Sequence, residues 1–182
     1  KDTDCMLTLF ARHADRAGIR DSRATVVNGD AMDLDELRKV LPGHDVVFCA
    51  ISGNQLPTVA QNLVAAMDEL GMNRLIFMGA VGIYNEILPQ IGGEYNVDNE
   101  PEQIPNREAV DVIEASDLNY TILRPGFLRS GDENDFVLTV KGEPARGYIT
   151  TIPSVVKLAV RLIQDETLYA RESVSVTQDM AQ

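Results

Sequence analysis

Short apolar runs alternate along the chain with segments in which apolar residues recur every three or four positions. The runs are rich in Val, Ile, Leu and Phe without polar alternation, a pattern typical of strands covered on both faces. They predict six strands, at Leu7–Ala11, Ala24–Val27, Val46–Ala50, Leu75–Met78, Tyr120–Leu123 and Val174–Thr177. Because these strands alternate with helices, the sequence predicts an α/β fold of three layers, a doubly wound parallel sheet with helices on both faces.

Four helices are predicted between the strands. Asp33 and Glu36 form the pattern of a capping box at the start of the first helix, and Gly71 follows the second helix as a C-terminal cap. The third and fourth helices begin after Pro105 and Pro153. Their predicted inward-facing residues are Leu34, Leu37, Val40 and Leu41 in the first helix, Val59, Leu63, Met67 and Leu70 in the second, Ala109, Val112, Ile113 and Ser116 in the third, and Val156, Ala159, Val160 and Ile163 in the fourth.

Composition narrows the classes of partner. The chain has 182 residues and a formal net charge of −12, which argues against nucleic acid or an anionic membrane surface as a partner. It has no apolar stretch long enough to cross a bilayer. Its two cysteines, Cys5 and Cys49, fall in apolar, strand-like runs and predict neither a disulfide framework nor a metal site. A reducing cytoplasm is the expected compartment.

Ligands of doubly wound sheets bind beyond the carboxyl ends of the strands, so the residues that follow each strand are the informative ones. Several of them are small, which permits close approach of a ligand to the backbone. In chain order they are Arg12, Gly29-Asp30, Ala50–Gly53, Gly79 to Tyr84, and Arg124 to Phe127.

We expect one domain over residues 1–182, with a small substrate region at 84–104 and 127–153. The irregular stretch from Tyr84 to Ile104 is long enough to be a lid or substrate loop, or else a disordered segment. His44 lies in a Pro-Gly-His-Asp sequence and is predicted to be an exposed turn residue.

Three stretches, LFARHADR, VVNGDAMDLDELRKVLPGHDVVFCAISG and IEASDLNYTILRPGFL, resemble the NAD(P)-binding, NmrA-like branch of the atypical short-chain dehydrogenase/reductases. The similarity runs in register from Leu7 to about Thr177, and YTILRPGFL is its most specific part. It implies a Rossmann fold and membership of the superfamily that also contains NAD-dependent epimerases and dehydratases.

The resemblance implies that Arg12 meets the 2′-phosphate of NADP, with His13 as a second donor. A guanidinium suits this role because its planar fork matches the phosphate oxygens. NADP is therefore expected in preference to NAD, whose ribose is usually held by a carboxylate. The alternative for Arg12 is a solvated arginine at the end of a strand.

The remaining residues have implied roles along the same edge. Asp30 resembles the aspartate that faces the adenine amino group, although an ordinary turn residue is an equal alternative, and Ala31 is expected at the ring edge. Arg124 is expected to be structural. The rest of the implied cofactor set is Ala50, Ile51, Ser52 and Gly53 beneath the adenosine and diphosphate, Gly79, Arg107, and Pro125, Gly126 and Phe127 near the nicotinamide.

The glycine-rich turn that holds the pyrophosphate in this family is absent, and no G-x-G-x-x-G sequence occurs. In the doubly wound order the first strand is central, between Leu7–Ala11 and Val46–Ala50. We therefore expect that the given chain lacks this strand. In the native protein, about 20–25 further residues are expected upstream of Lys1.

The usual catalytic tyrosine and lysine of short-chain dehydrogenases are also absent. Arg107 occupies the lysine position and Gln103 the tyrosine position, while Gly79-Ala80 replaces the common serine. Tyr84 is the remaining candidate for a catalytic hydroxyl. A flavin or quinone acceptor takes its proton from water, so it needs no tyrosine acid.

Two functions of different classes remain. One is an NADPH-dependent reductase of a small planar acceptor, of flavin or quinone type. The other is a non-catalytic sensor of nicotinamide redox state that regulates a protein partner. An epimerase or dehydratase is disfavoured because that group relies on the tyrosine–lysine pair and a larger substrate domain.

Overall fold

The computed structural model describes residues 3–131 and 136–180. Its strands are β1 (Leu7–Ala11), β2 (Ala24–Asn28), β3 (Val46–Cys49), β4 (Arg74–Met78), β5 (Asn119–Pro125), β6 (Phe127–Arg129), β7 (Val137–Val140), β8 (Ile149–Thr151) and β9 (Glu172–Thr177). Its α-helices are α1 (Leu34–Val40), α2 (Leu56–Leu70), α3 (Ile104–Glu114) and α4 (Ile152–Gln164).

The strands form one main sheet and two smaller ones. The main sheet has the order β3-β4-β5-β9-β7, and its strands are parallel except for β7, which runs antiparallel to β9. β1 pairs in parallel with β2, and β6 pairs in parallel with β8. The predicted parallel α/β fold is confirmed, with an antiparallel edge strand that the sequence did not predict.

Helices cover both faces of the main sheet. On one face, α1, α2 and α3 pack against alternate strand residues such as Leu75, Phe77 and Ile122. On the other face, α4 packs against Ile76 and Leu123. Neighbouring residues of a strand point to opposite faces, so these continuous apolar runs fill both cores.

Among the described residues, β1 and β3 share no backbone ladder, and the sheet is divided between them. His44 spans this division: its Nδ1 lies 3.0 Å from the Leu41 carbonyl oxygen and its Nε2 lies 2.8 Å from Thr8 Oγ1. A carbonyl only accepts, so Nδ1 of the neutral ring donates and Nε2 accepts from the Thr8 hydroxyl. The prediction of an exposed turn residue is wrong for His44, which is half-buried. The division lies where the sequence predicts a central strand, and that strand stays a prediction.

Asp33 and Gly71 cap α1 and α2 as predicted, but only the Asp33 half of the capping box is formed. The Asp33 carboxylate accepts from the Glu36 amide at 3.2 Å, and Gly71 ends α2 in the left-handed conformation at φ 66°. The Glu36 carboxylate does not return the hydrogen bond to Asp33 but accepts from the amide of Asp30. The first turn of α1 therefore also fixes the loop that follows β2.

The predicted buried face of α4 is correct for Ala159, which is buried, and for Ile163, which packs against the core, but wrong for Val156. Val156 is 50% exposed, whereas Leu158 and Leu162 are fully buried. Val155, Leu158 and Leu162 form a stripe at spacings of three and four that packs on Ile76. A second apolar stripe beside the first made the two faces hard to distinguish in the sequence.

Three short strands, β6, β7 and β8, lie in the region 127–153, where no strand was predicted. All three residues of β6 are exposed, and such strands carry little apolar pattern. Residues 132–135 of that predicted substrate region lie outside the described residues. Cys5 is exposed and precedes β1, contrary to the strand-like environment predicted for it. Within residues 3–131 and 136–180, every helix is too short or too polar to traverse a bilayer.

Candidate functional site

The residues predicted to bind a ligand follow the carboxyl ends of parallel strands. The Thr8–His44 contact joins β1, near its amino end, to the loop before β3. The predicted residues follow the strands in this way: Arg12 and His13 after β1, Asp30 and Ala31 after β2, Ala50, Ile51, Ser52 and Gly53 after β3, Gly79 after β4, and Pro125, Gly126 and Phe127 at the end of β5.

The turn after β1 presents cationic and imidazole groups to solvent. Arg12 and His13 are exposed, and neither side chain has a hydrogen-bond or ion-pair partner among the described residues. Asn28, at the end of β2, holds this turn by accepting from the Asp15 amide at 3.1 Å. A guanidinium without a counter-ion on a protein of charge −12 is suited to an anionic ligand.

The loop after β2 is tied to the fold on both sides. Asp30 Oδ1 accepts from the Met32 amide at 3.0 Å, which is the turn role that the sequence left open. Ala31 packs in the core at 7% exposure. Asn62 of α2 donates to the Ala31 and Met32 carbonyls at 3.2 and 2.9 Å. The predicted contacts of Asp30 and Ala31 with adenine stay predictions.

The loop after β3 is open to solvent and has a shaped backbone. Ala50, Ser52 and Gly53 are exposed, whereas Ile51 packs against the core. Gly53 has φ 101°, a conformation that strains any residue with a side chain. Gln55 donates to the Ser52 carbonyl at 2.7 Å and fixes the turn.

A cleft of about 250 Å³ lies where the ends of β4 and β5 meet. The Val81 amide donates to the Pro125 carbonyl at 2.9 Å, which holds the two strand ends together. The lining residues are Ala80, Val81, Tyr95, Glu100, Glu102, Gln103, Asn106, Pro125, Gly126, Phe127 and Tyr148. The predicted nicotinamide-end residues, Pro125 to Phe127, therefore form one side of a cavity.

Gly126 brings a distant segment to the cleft. A Cβ at this position would lie 2.1 Å from the carbonyl oxygen of Tyr148, so only glycine fits. The Gly126 amide donates to Thr150 Oγ1 at 2.8 Å, and the Phe127 amide donates to the Tyr148 carbonyl at 2.8 Å. These contacts place the Tyr148 ring beside Phe127.

Tyr95, Phe127 and Tyr148 form an aromatic wall. The Tyr95 ring centre lies 4.9 Å from the centres of both Phe127 and Tyr148, with interplanar angles of 82° and 41°. Phe127 and Tyr148 are 6.1 Å apart and perpendicular. Phe127 is 54% exposed, so this wall presents apolar surface to whatever enters the cleft.

Polar groups on the opposite segment complete the lining. Gln103 Nε2 donates to the Val81 carbonyl at 3.2 Å, and its Oε1 accepts from Asn106 Nδ2 at 3.0 Å. Gln103 is thereby oriented on both sides, while the second Nδ2 hydrogen of Asn106 is available to a ligand. Glu100 and Glu102 add two carboxylates to this side of the cleft.

The Tyr84 hydroxyl lies in a polar network away from the cleft. It lies 2.7 Å from Glu114 Oε1 and 3.1 Å from Ser173 Oγ, and the residue is absent from the lining described above. Burial raises the pKa of Tyr84 above its ordinary value, and the hydrogen bond to Glu114 adds to the shift. A phenol with a raised pKa is a weaker acid. Its predicted catalytic role has no support in this arrangement and stays a prediction.

Two arginines near Tyr84 have protein partners. Arg107, predicted to bind the cofactor, pairs with Asp111 one helical turn away, and its guanidinium carbon lies 4.8 Å from the centre of the Tyr84 ring. Arg124 is fully buried, forms an ion pair with Glu86, and donates to Ser173 Oγ at 3.0 Å. The structural role predicted for Arg124 is confirmed. Arg107 is not brought together with the cleft.

The cleft combines residues that the sequence singled out with residues that it placed only within a region. Pro125, Gly126 and Phe127 were predicted site residues, whereas Tyr95, Glu100, Glu102 and Tyr148 lie in the predicted substrate regions 84–104 and 127–153 without a pattern of their own. The one available signal was Gln103 and Asn106, two amides spaced by one helical turn at the start of a predicted helix.

The model of a family described as NAD(P)H-binding matches residues 1–166. The chain belongs to that family. A comparison with curated proteins found no match.

Solved structures agree with this NAD(P)H-binding assignment. A short-chain dehydrogenase/reductase of Veillonella parvula DSM 2008, crystallised in complex with NADP, is 26% identical with a TM-score of 0.85 over 97% of this chain and 84% of its own. A Rossmann-fold NAD(P)-binding family protein of Shigella flexneri is 31% identical with a TM-score of 0.79 over 96% of this chain and 83% of its own. The resemblance to the short-chain dehydrogenase/reductases and the Rossmann fold are thereby confirmed.

The residues present fit a nicotinamide dinucleotide. Arg12 offers an unpaired guanidinium, and the positive φ of Gly53 and the small exposed residues beside it leave the backbone after β3 accessible. The strand ends at Pro125 to Phe127 border a cleft with an aromatic wall and a polar side, next to the position predicted for the nicotinamide. The donors near Arg12 and Gly53 and the cleft at Pro125 to Phe127 thus match the two chemically different ends of a nicotinamide dinucleotide.

Proposed function

We propose that this protein is an NADPH-dependent oxidoreductase that transfers hydride to a small planar acceptor. The observation that carries the proposal is the cleft. Its aromatic wall includes Phe127, which is predicted to lie near the nicotinamide. A cavity with an aromatic wall on one side and polar groups on the other suits a ring-shaped acceptor that carries oxygen atoms.

Arg12 and His13 are proposed to hold the 2′-phosphate, which favours NADP over NAD. Asp30 and the backbone of Ala50–Gly53 would contact the adenosine and diphosphate, and Pro125–Phe127 the nicotinamide. A bound reduced nicotinamide supplies a hydride, two electrons with one proton. The chain itself supplies no redox group for this step.

The cleft residues orient the acceptor and exclude water. The aromatic wall would hold the acceptor ring, and Asn106 Nδ2 would donate a hydrogen bond to an acceptor oxygen. Such a donor stabilises the charge that develops on that oxygen as hydride arrives. The second proton comes from water, so no acidic side chain is required.

The cofactor preference is tested with Arg12→Ala and a charge-matched control, Arg20→Ala, an exposed arginine of the same loop. We expect Arg12→Ala to weaken NADPH binding about 10- to 100-fold, the effect of one charge-assisted hydrogen bond, and to change NADH binding little. Fluorescence titration of the reduced cofactors measures both affinities. Equal wild-type affinities for NADPH and NADH, or equal losses for both in Arg12→Ala, contradict the assignment.

Catalysis is tested by the absorbance of NADPH in the presence of quinone, flavin and aldehyde acceptors. Oxidation with a planar acceptor is the expected result. Tight NADPH binding without oxidation by any acceptor would instead favour a redox sensor that acts on a protein partner. That second candidate is supported by Gln103 and Arg107 in place of tyrosine and lysine, and by the network that engages Tyr84.

We also propose a reducing, cytoplasmic setting. Cys5 is exposed and Cys49 is buried, and both are free thiols. An exposed free thiol is typical of compartments in which disulfides do not persist.

A further inference from the structure

The charged residues that line the cleft are all acidic among the described residues. Its lining includes two carboxylates, Glu100 and Glu102, and contains no Lys, Arg or His among the described residues. Neither carboxylate forms an ion pair within that part of the chain. Glu100 is half-buried, and its Oε1 accepts from the Glu102 amide at 3.4 Å, which keeps the two residues together.

An anionic ligand entering this cleft would meet like charges without a counter-charge. Glu100 is half-buried, so solvent screens its repulsion of a nearby anion less than that of a fully exposed carboxylate. The net charge of −12 adds a weaker repulsion at longer range. The exposed turn that carries Arg12 and His13 follows β1, on the far side of the sheet division from the cleft.

Size restricts the ligand further. A volume of about 250 Å³ is just below the range of roughly 300–1,000 Å³ typical of small-molecule sites. One or two fused rings fit such a space, whereas a flavin with a phosphorylated side chain is both larger and anionic. The aromatic wall offers ring faces and edges to a planar molecule.

We propose that the cleft selects uncharged quinones of one or two rings and rejects their anionic counterparts. This inference rests on the proposed reductase function and names its substrate class. The quinone gains a hydride from the reduced cofactor and a proton from water to become a hydroquinone, while the cofactor is oxidised by two electrons. Asn106 Nδ2 is placed to donate to a quinone carbonyl.

The test is a binding measurement that needs no turnover. The full-length protein with bound oxidised NADP is titrated by calorimetry with menadione and with the naphthoquinone that carries a sulfonate in place of the menadione methyl group. All reactants are oxidised, so no electron transfer occurs. We expect menadione to bind at least about tenfold more tightly, because only the sulfonated quinone carries a negative charge into a cleft lined by two carboxylates.

A double variant, Glu100→Gln with Glu102→Gln, keeps the shape of the cleft and removes its charge. We expect the affinity ratio to fall to within about threefold, and higher ionic strength to reduce the wild-type ratio in the same direction. Glu108→Gln is the control, because Glu108 is an exposed glutamate of α3 outside the cleft lining and should leave the ratio unchanged.

Equal or reversed affinities in the wild type, no binding of either quinone, or an unchanged ratio in the double variant would overturn the inference. Activity is read separately, from NADPH oxidation by menadione. Selective binding without NADPH oxidation would support the charge selectivity of the cleft and refute the reductase function.

Discussion

Gly126 occupies the closest approach between β5 and the segment that carries Tyr148. Because an added Cβ would lie 2.1 Å from a backbone carbonyl oxygen, Gly126→Ala must displace one of the two segments. We expect a loss of about 1–3 kcal/mol in the free energy of unfolding. Urea denaturation followed by circular dichroism measures it.

Gly93→Ala is the matched control for this substitution. Gly93 is also buried, but its Cβ would meet nothing closer than 3.5 Å, an ordinary contact. We expect a change within about 0.5 kcal/mol. Similar losses in both variants would show that any side chain in this region is harmful and that the contact with Tyr148 is not the cause.

Individual site residues were predictable where they follow a strand directly. Arg12 and Pro125–Phe127 lie at the predicted edge because the end of a parallel strand fixes the position of the next residue. Tyr84 lies six residues beyond β4, so the strand does not fix its position, and its hydroxyl is held by Glu114 and Ser173. Tyr95 and Tyr148 reach the cleft only after two long segments fold, and no local pattern reports that contact.

Among the described residues, β1 and β2 form a separate sheet that side-chain contacts attach to the rest of the fold. A two-stranded sheet is marginal alone, and the hydrogen bond of Thr8 to His44 links this one to β3. Thr8→Val leaves the half-buried Nε2 of His44 without its donor. We expect a loss of about 0.5–1.5 kcal/mol, seen as faster amide hydrogen exchange in β1 and β2.

Thr25→Val provides the control, since Thr25 lies opposite Thr8 in the register of the two strands. Thr25 is exposed, and the structure records no side-chain hydrogen bond for it among the described residues. Exchange in β1 and β2 should stay at the wild-type rate. Faster exchange in both variants would mean that the strands are sensitive to valine itself.

The longer, buried elements were predictable because burial on both faces leaves an unbroken apolar run. β4, with Leu75, Ile76 and Phe77 all fully buried, shows this pattern. β6 and β8 have three residues each, too few for any period to appear. In α4 two neighbouring apolar stripes compete, and the contact with Ile76 decides which one is buried.

At the scale of the whole molecule, the proposed cofactor site crosses the division of the sheet. Its predicted residues come from the ends of β1 and β2 on one side and of β3 and β5 on the other. A ligand held by both groups must be released before β1 and β2 can open. The alternation of strand and helix predicted these strands and their parallel direction, but not the contacts that hold the two sheets together.

NADPH should therefore stabilise the two sheets unequally. At a free concentration of about a hundred times Kd, binding adds about 2.7 kcal/mol to any opening that releases the ligand. We expect the free energy of opening measured by hydrogen exchange to rise by that full amount in β1 and β2. Local openings of β7, which carries none of the proposed ligand residues, should be unaffected. Equal slowing in β7, or none in β1 and β2, would place the cofactor elsewhere, because only a ligand that bridges the division couples its release to the opening of these two strands.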